Sequence, residues 1–158
     1  MKLKYTKPQI ILEIIGAIIM IGLFVFVGIK YQALPDQIPK HFNASGQIDA
    51  WGSKASIWSL PGVGAFLYIL LTVITFFPST WNFPTTKMTE KNKIPLYQLM
   101  KTFLIITKIE LLASFAYITL FTIKGTSMSS MFIFVLFAAL ILTGLFFWEL
   151  GRMVIKKY

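Results

Sequence analysis

The sequence predicts an all-α integral membrane protein, a four-transmembrane-helix bundle with an ordered extracellular loop between helices 1 and 2. Three observations lead there. Of 158 residues, 56% are hydrophobic and only 13% charged, with a mean hydropathy of +0.73, a balance outside the range of water-soluble domains. Four apolar runs each approach the roughly 20 residues that a helix needs to cross about 30 Å of hydrocarbon. The lysines and arginine also gather at alternate ends of those runs, the arrangement that sets orientation in bacterial membranes.

The first span is residues 10–29. Lys2, Lys4 and Lys7 precede it, as basic residues precede a signal peptide. Its apolar stretch exceeds the usual ~7 to 15 residues, however, and no small-residue cleavage site follows, so it is read as a retained span. Residues 30–56 form the outer loop and residues 57–77 the second span. The inner connection, residues 78–98, carries Lys87, Lys91 and Lys93 and leads to the third span, residues 99–123, with Lys101 at its rim. The short polar turn "KGTSMSS" then obliges the third and fourth spans to be antiparallel neighbours and has no evident chemistry. Residues 131–150 make the fourth span, followed by Arg152, Lys156 and Lys157. The opposite side holds Lys30, Lys40, Lys54 and Lys124, partly offset by Asp36 and Asp49. Both termini are therefore expected in the cytoplasm of a bacterial plasma membrane, with the outer loop outside. Trp51, Trp58, Trp81 and Trp148 fall near the ends of the spans, where an amphipathic indole prefers to sit.

The outer loop is the most polar stretch of the chain. Leu34-Pro35 and Ile38-Pro39 bias it toward extended backbone, because the proline ring clashes with a helical residue before it. "KHFN" and "QIDAW" then flank "ASG", where Gly46 can take positive φ, so a hairpin-like turn is expected with Phe42 and Ile48 toward the bundle or membrane. Trp51 anchors the return at the lipid interface. Ser56 or Ser59 is the expected cap of the second helix, with Pro61 in its first turn.

Several kinds of chemistry lack their residues. There is no cysteine, so disulfides, thiolate metal sites and a thiol nucleophile are excluded. His41 is the only histidine; a His41–Asp49 pair could orient an imidazole, but nothing beyond common serines stands ready as a nucleophile, so no catalytic residue is assigned. A site of His41, Asp49 and Asp36 offers one imidazole where zinc sites draw on several His or Cys ligands, so no metal and no cofactor is assigned. The simplest reading has His41, Asn43 and Asp49 hydrogen-bonding the turn's own backbone, with ligand binding the alternative. The net charge of +9 invites nucleic acid, yet these cations flank spans and form no basic surface interleaved with stacking aromatics, so none is expected.

Ionisable residues inside spans are costly, and they face protein or water. Lys108 and Glu110 lie near mid-depth of the third span. At about 100° per residue, Thr107, Glu110, Ser114 and Tyr117 share one stripe while Lys108 lines up with Lys101 on another, so Lys108 and Glu110 cannot readily pair. Lys108 is expected to pair with Glu13 or Glu149, and Glu110 to be held by hydroxyl groups, water or a second copy of the chain. A packing role that fixes helix register is the simpler reading of this cluster; a proton or ligand pathway is the other.

"YQALPDQIPKHFNASGQIDAWGSK" resembles the signature of a bacterial membrane domain of unknown function that forms the amino-terminal part of SdpI-type immunity proteins, in which Leu-Pro, Ile-Pro, His-Phe-Asn, Gly, Asp and Trp-Gly-x-Lys recur. Pro39, His41, Phe42, Asn43, Gly46, Asp49, Trp51, Gly52 and Lys54 stand at those positions. "WNFPTTKMTEKNKIPLYQL" is similar to the family's cytoplasmic stretch, through Asn82, Pro84, Glu90, Asn92 and Tyr97; Pro95 departs from it, standing where a polar helical residue is usual. The resemblance covers Tyr31 through the third span. It implies a small membrane protein that protects the cell against a membrane-active peptide or couples such a signal to a cytoplasmic regulator. Three functions follow as expectations: an immunity or receptor module whose outer loop engages a peptide toxin or lipid, a small transporter or lipid-handling enzyme using Lys108 and Glu110, or a structural partner subunit. Membrane lipids and a second copy of the chain complete the expected partners.

For the inner connection, "TTKMTEKNK" is sufficient as a basic topology signal, with docking of a soluble regulator the sharper alternative. Thr89 or Asn92 is expected to begin a short helix, and Pro95 near its first turn to bend it along the surface before the third span.

Overall fold

The computed structural model describes residues 3–78, 81 and 88–158. In chain order it has helix α1 (Lys7–Tyr31), strands β1 (Gln37–Phe42) and β2 (Ile48–Ser53), a 3₁₀ turn (Lys54–Trp58), and helices α2 (Ser59–Thr75), α3 (Glu90–Lys124) and α4 (Phe132–Lys157). Four helical stretches, with the 3₁₀ turn counted into the second, are long and apolar enough to cross a membrane. The chain is a multi-pass membrane protein, mostly helical, with a two-stranded hairpin between its first two helices.

Helices α1 and α3 start where local chemistry tells them to. Thr6 and Gln9 form a reciprocal capping box at the start of α1, with a proline in the first turn. Thr89 and Asn92 form a second box at the start of α3, which ends at Gly125 with φ of 66°. That box answers the expectation of a surface-lying stretch before the third span. Helix α3 is continuous from Glu90, with Pro95 inside it, because the cap organises the first turn and Pro95 removes only the bond to the Lys91 carbonyl. Glu90, Asn92 and Tyr97 therefore lie on a helix and not in a connecting loop. Similarly, α4 runs on past residue 150 to Lys157, since lysines end a hydrocarbon match but do not break helical hydrogen bonds. Neither Ser56 nor Ser59 caps α2: Ser53 Oγ accepts from the Ala55 amide to cap the 3₁₀ turn, and Ser59 Oγ donates to the Ser56 carbonyl. Pro61 does sit in the first turn of α2.

The bundle is organised around α3. Buried Gln9, Gly16, Met20, Leu23 and Val27 on α1, with Glu13 among them, recur at alternating spacings of four and three. Buried Lys101, Ile105, Lys108, Leu112, Thr119 and Thr122 on α3 follow the same rule once the half-buried Phe115 is placed between Leu112 and Thr119. These are coiled-coil seams, and in lipid they are closed by packing and small residues instead of by the hydrophobic effect. Gly64 of α2 supplies such a residue, since a Cβ there would come within 3.2 Å of Met20 and 3.4 Å of Leu112. Helix α4 packs on α3 through Phe103–Phe147 and Tyr117–Phe132 ring contacts at 5.5 and 4.4 Å. None of its residues is buried, and Phe134, Val135, Ile141, Leu142 and Phe146 face outward where acyl chains lie.

At one end of the bundle, the hairpin is held by its own apolar face. Leu34 and Ile38 join Leu23, Val27 and Ile57 in one buried cluster. The strands pair antiparallel with Gln37 opposite Ser53, Pro39 opposite Trp51 and Phe42 opposite Ile48, and irregularities flank His41. Pro39 is tolerated because a two-stranded ribbon has two free edges, where a missing donor costs nothing. Asp36 closes the base, its carbonyl accepting from the Lys54 amide at 2.9 Å and its carboxylate 3.2 Å from Lys54 Nζ.

Candidate functional site

The hairpin tip is a tight turn built by Asn43. Its side-chain oxygen accepts from the amides of Ser45 and Gln47 at 2.9 and 3.0 Å, and its carbonyl accepts from the Gly46 amide at 2.8 Å. Gly46 takes φ of 76°, and its carbonyl accepts from the Met128 amide at 2.8 Å. A Cβ at position 46 would lie 2.6 Å from the Met128 carbonyl oxygen, so the turn needs glycine for both conformation and close approach. The α3–α4 connection is therefore the dock of the hairpin tip, a role that its short polar sequence did not reveal.

Tip, dock and helix ends enclose a cleft of about 380 Å³. Pro39, His41, Phe42 and Asn43 line it from the hairpin, Ile57 and Leu60 from α2 and the turn before it, Ile118 and Thr122 from α3, Met128 from the connection, and Phe132 and Ile133 from α4. Its size suits a small ligand or one end of a larger amphiphile. Of the residues singled out by sequence, Pro39, His41, Phe42, Asn43 and Gly46 converge on this cleft, whereas Asp49, Trp51, Gly52 and Lys54 do not line it. Asp49 acts on it indirectly, its carboxylate 2.6 Å from His41 Nδ1. Both side chains are well exposed, at 41% and 67%, so the pair orients an imidazole at the rim and is not a buried relay. His41 and Asp49 thus bond to each other across the strands, while Asn43 alone organises the turn's backbone. The lining from α3 and α4 was missed because Ile118, Thr122, Phe132 and Ile133 read as ordinary span residues; only the hairpin's docking turns them into a wall.

A second polar region lies inside the bundle. Lys108 Nζ donates to Glu13 Oε2 at 2.6 Å and to Thr72 Oγ1 at 2.7 Å, and it sits 4.3 Å from the centre of the Tyr68 ring. Lys108 is 1% exposed and Glu13 16%, so the two charges neutralise each other away from lipid. Glu110 is held separately: Thr143 donates to its Oε1 at 2.6 Å, and its backbone carbonyl accepts from Ser114. Tyr117 leaves the expected polar stripe to stack on Phe132, and Glu149 pairs at the surface with Arg152 at 2.7 Å. Glu13 Oε1 and Glu110 Oε2 are buried with no hydrogen-bond partner among the described residues.

Toward the chain termini the seam continues through Gln9 and Tyr5, which the sequence did not single out, and through Lys101, which is buried in the seam and not at the rim where it was expected. Gln9 donates to the Gln98 carbonyl, to its side-chain oxygen and to Thr102 Oγ1 at 2.9 to 3.2 Å. Lys101 is fully buried, its Nζ 3.2 Å from the Leu3 carbonyl and 3.2 Å from the centre of the Tyr5 ring. Burial raises the Tyr5 phenol above its ordinary range, so the hydroxyl stays protonated beside Thr75 Oγ1 at 2.8 Å. The alternating spacing from Gln9 to Val27 was the signal available for these positions. On the inner connection, Asn92 caps α3, Glu90 lies 3.7 Å from Lys93 and the Tyr97 ring lies 5.7 Å from that of Trp81; Asn82 and Pro84 lie outside the described residues.

Fold and cleft together define a class, a multi-pass membrane protein with a hairpin-covered cleft at one end of a helical bundle. Residues 18–65 match a family model described as a domain of unknown function, DUF1648. That span runs from α1 through the hairpin and into the first turns of α2. No curated protein and no solved structure matches the chain.

Proposed function

We propose that this protein is a receptor- or immunity-type module of the bacterial plasma membrane that engages a membrane-active peptide or lipid through the hairpin, in the cleft beneath it. The observation that carries this reading is the cleft itself: the hairpin, built almost wholly from the stretch resembling SdpI-type immunity proteins, roofs a volume whose floor is helix ends. An apolar floor with a few polar groups at the rim suits an amphiphile. The excess of lysines at the terminal end of the bundle supports an orientation with both termini cytoplasmic and the hairpin outside. The polar seam supports a structural part for Lys108, since Glu13 and Thr72 already engage it.

The test is protection of expressing cells from membrane-active peptides. His41→Ala, Asn43→Ala and Phe42→Ala are expected to lose protection at unchanged membrane levels, whereas Glu149→Ala, whose partner lies at the opposite end, retains it. Equal protection by all four variants would remove the cleft from the function.

A further inference from the structure

We infer that the cleft takes the phosphate headgroup of an anionic phospholipid, an assignment that rests on the cleft being the ligand site and names the ligand's chemistry. Four features of the lining point the same way. Its one lysine is Lys40, with the His41 imidazole beside it, and among the described residues no carboxylate lines it. Lys40 is exposed at the rim and has no ion-pair partner among the described residues. The two carboxylates of the hairpin segment are both engaged elsewhere, Asp49 by His41 at 2.6 Å and Asp36 by Lys54 at 3.2 Å.

The buried wall adds a donor. Thr122 is 6% exposed and lines the cleft, and its hydroxyl has no hydrogen-bond partner among the described residues. Among the described residues, the buried hydroxyls left without a partner are those of Thr107 and Thr119; that of Thr122 stays accessible where the residue lines the cleft, as a donor for a ligand oxygen. The first residues of two helices, Ser59 and Leu60 of α2 and Phe132 and Ile133 of α4, also border the space. Neither N-cap residue makes a side-chain cap bond; the amides of Ser59 and Phe132 already donate to the Ser56 and Ser129 carbonyls, so these helix starts add the positive end of their dipoles and not those amides.

Position and shape favour a lipid as the source of the anion. The cleft lies at the level where α2 and α4 begin their spans, with Trp58 and Trp51 at the same end, which is the depth at which phospholipid phosphates sit. Ile118, Phe132 and Ile133 give the apolar contact that glycerol and the first methylenes need, and a free phosphate would leave that surface uncovered. An unpaired lysine at the rim disfavours a headgroup that carries its own cation.

Native mass spectrometry of the purified full-length protein, mixed with equal amounts of phosphatidylglycerol and phosphatidylcholine, reads the preference directly. The wild type is expected to retain phosphatidylglycerol over phosphatidylcholine. Lys40→Gln and the nearly isosteric Thr122→Val should each weaken that retention about tenfold, the scale of a charge-assisted or buried hydrogen bond. Lys156→Gln, which removes the same charge at the other end, should leave it unchanged. Retention that is equal for all four proteins overturns the assignment, and so does displacement of the lipid by millimolar inorganic phosphate, which would make the site one for a free anion. The two readings separate cleanly. Variants that lose lipid preference but keep peptide protection support the lipid site and refute the receptor role; variants that lose protection with lipid preference intact refute the lipid.

Discussion

Lys108 carries the clearest consequence at the scale of single residues. An ammonium buried to 1% exposure is tolerable only beside its carboxylate, and removing one partner leaves a charge with no solvent. Lys108→Met is expected to destabilise the protein by about 3 kcal/mol, while Lys108→Met with Glu13→Leu recovers most of that loss. Unfolding midpoints in mild detergent measure both, and a double variant no more stable than the single one would show that the pair contributes more than neutralisation. That Lys108 needs a partner is legible from its place in an apolar run. That the partner is Glu13 and not Glu149 is not, because the choice depends on α1 facing the buried side of α3 while Glu149 turns outward to Arg152. The exposed His41–Asp49 pair sets the contrast: Asp49→Ala should change stability by less than about 0.5 kcal/mol, since an exposed pair is screened. A larger shift in the same unfolding experiment would mean that the pair supports the hairpin as well as orienting the imidazole.

Among elements, the hairpin and the start of α3 show how local signals and long-range contacts divide the work. Prolines before and within β1 and the turn chemistry of Asn43 and Gly46 make the hairpin readable from its own residues. Its dock is not readable, because the bond from the Met128 amide to the Gly46 carbonyl joins segments far apart in the chain. Gly46→Ala would place a methyl 2.6 Å from the Met128 carbonyl oxygen at a positive φ, so the tip must lift. Hydrogen exchange at the Met128 amide should accelerate at least tenfold while the helix interiors keep their protection; unchanged exchange would mean that the tip is not held there. For α3, Thr89→Ala removes one arm of the capping box and should cost about 1 kcal/mol, seen as faster exchange confined to the amides of its first turn. The capping residues were recognisable in sequence, but Pro95 argued for a bend. The continuous helix reflects a cap that outweighs one missing hydrogen bond near the end.

For the molecule as a whole, the decisive property is which end of the bundle meets the outside. The chain contains no cysteine, so a single thiol introduced at position 41 or 156 reports sidedness without background. A membrane-impermeant thiol reagent is expected to label position 41 in intact cells and position 156 only after lysis. The reverse pattern would place the cleft in the cytoplasm and end the receptor proposal.

Hydrocarbon-length apolar runs, the hairpin's turn residues and the cap of α3 were determined by the sequence alone, because each depends on residues a few positions apart or on the thickness of the bilayer. Only the tertiary structure decided that α3 is the hub, that Glu13 neutralises Lys108, that Tyr5 and the Leu3 carbonyl cover Lys101, and that the α3–α4 connection closes the cleft. Those outcomes depend on which helix faces become neighbours. In a bundle that is apolar nearly all round, hydropathy does not distinguish the face that meets lipid from the face that meets another helix, so packing alone makes that choice.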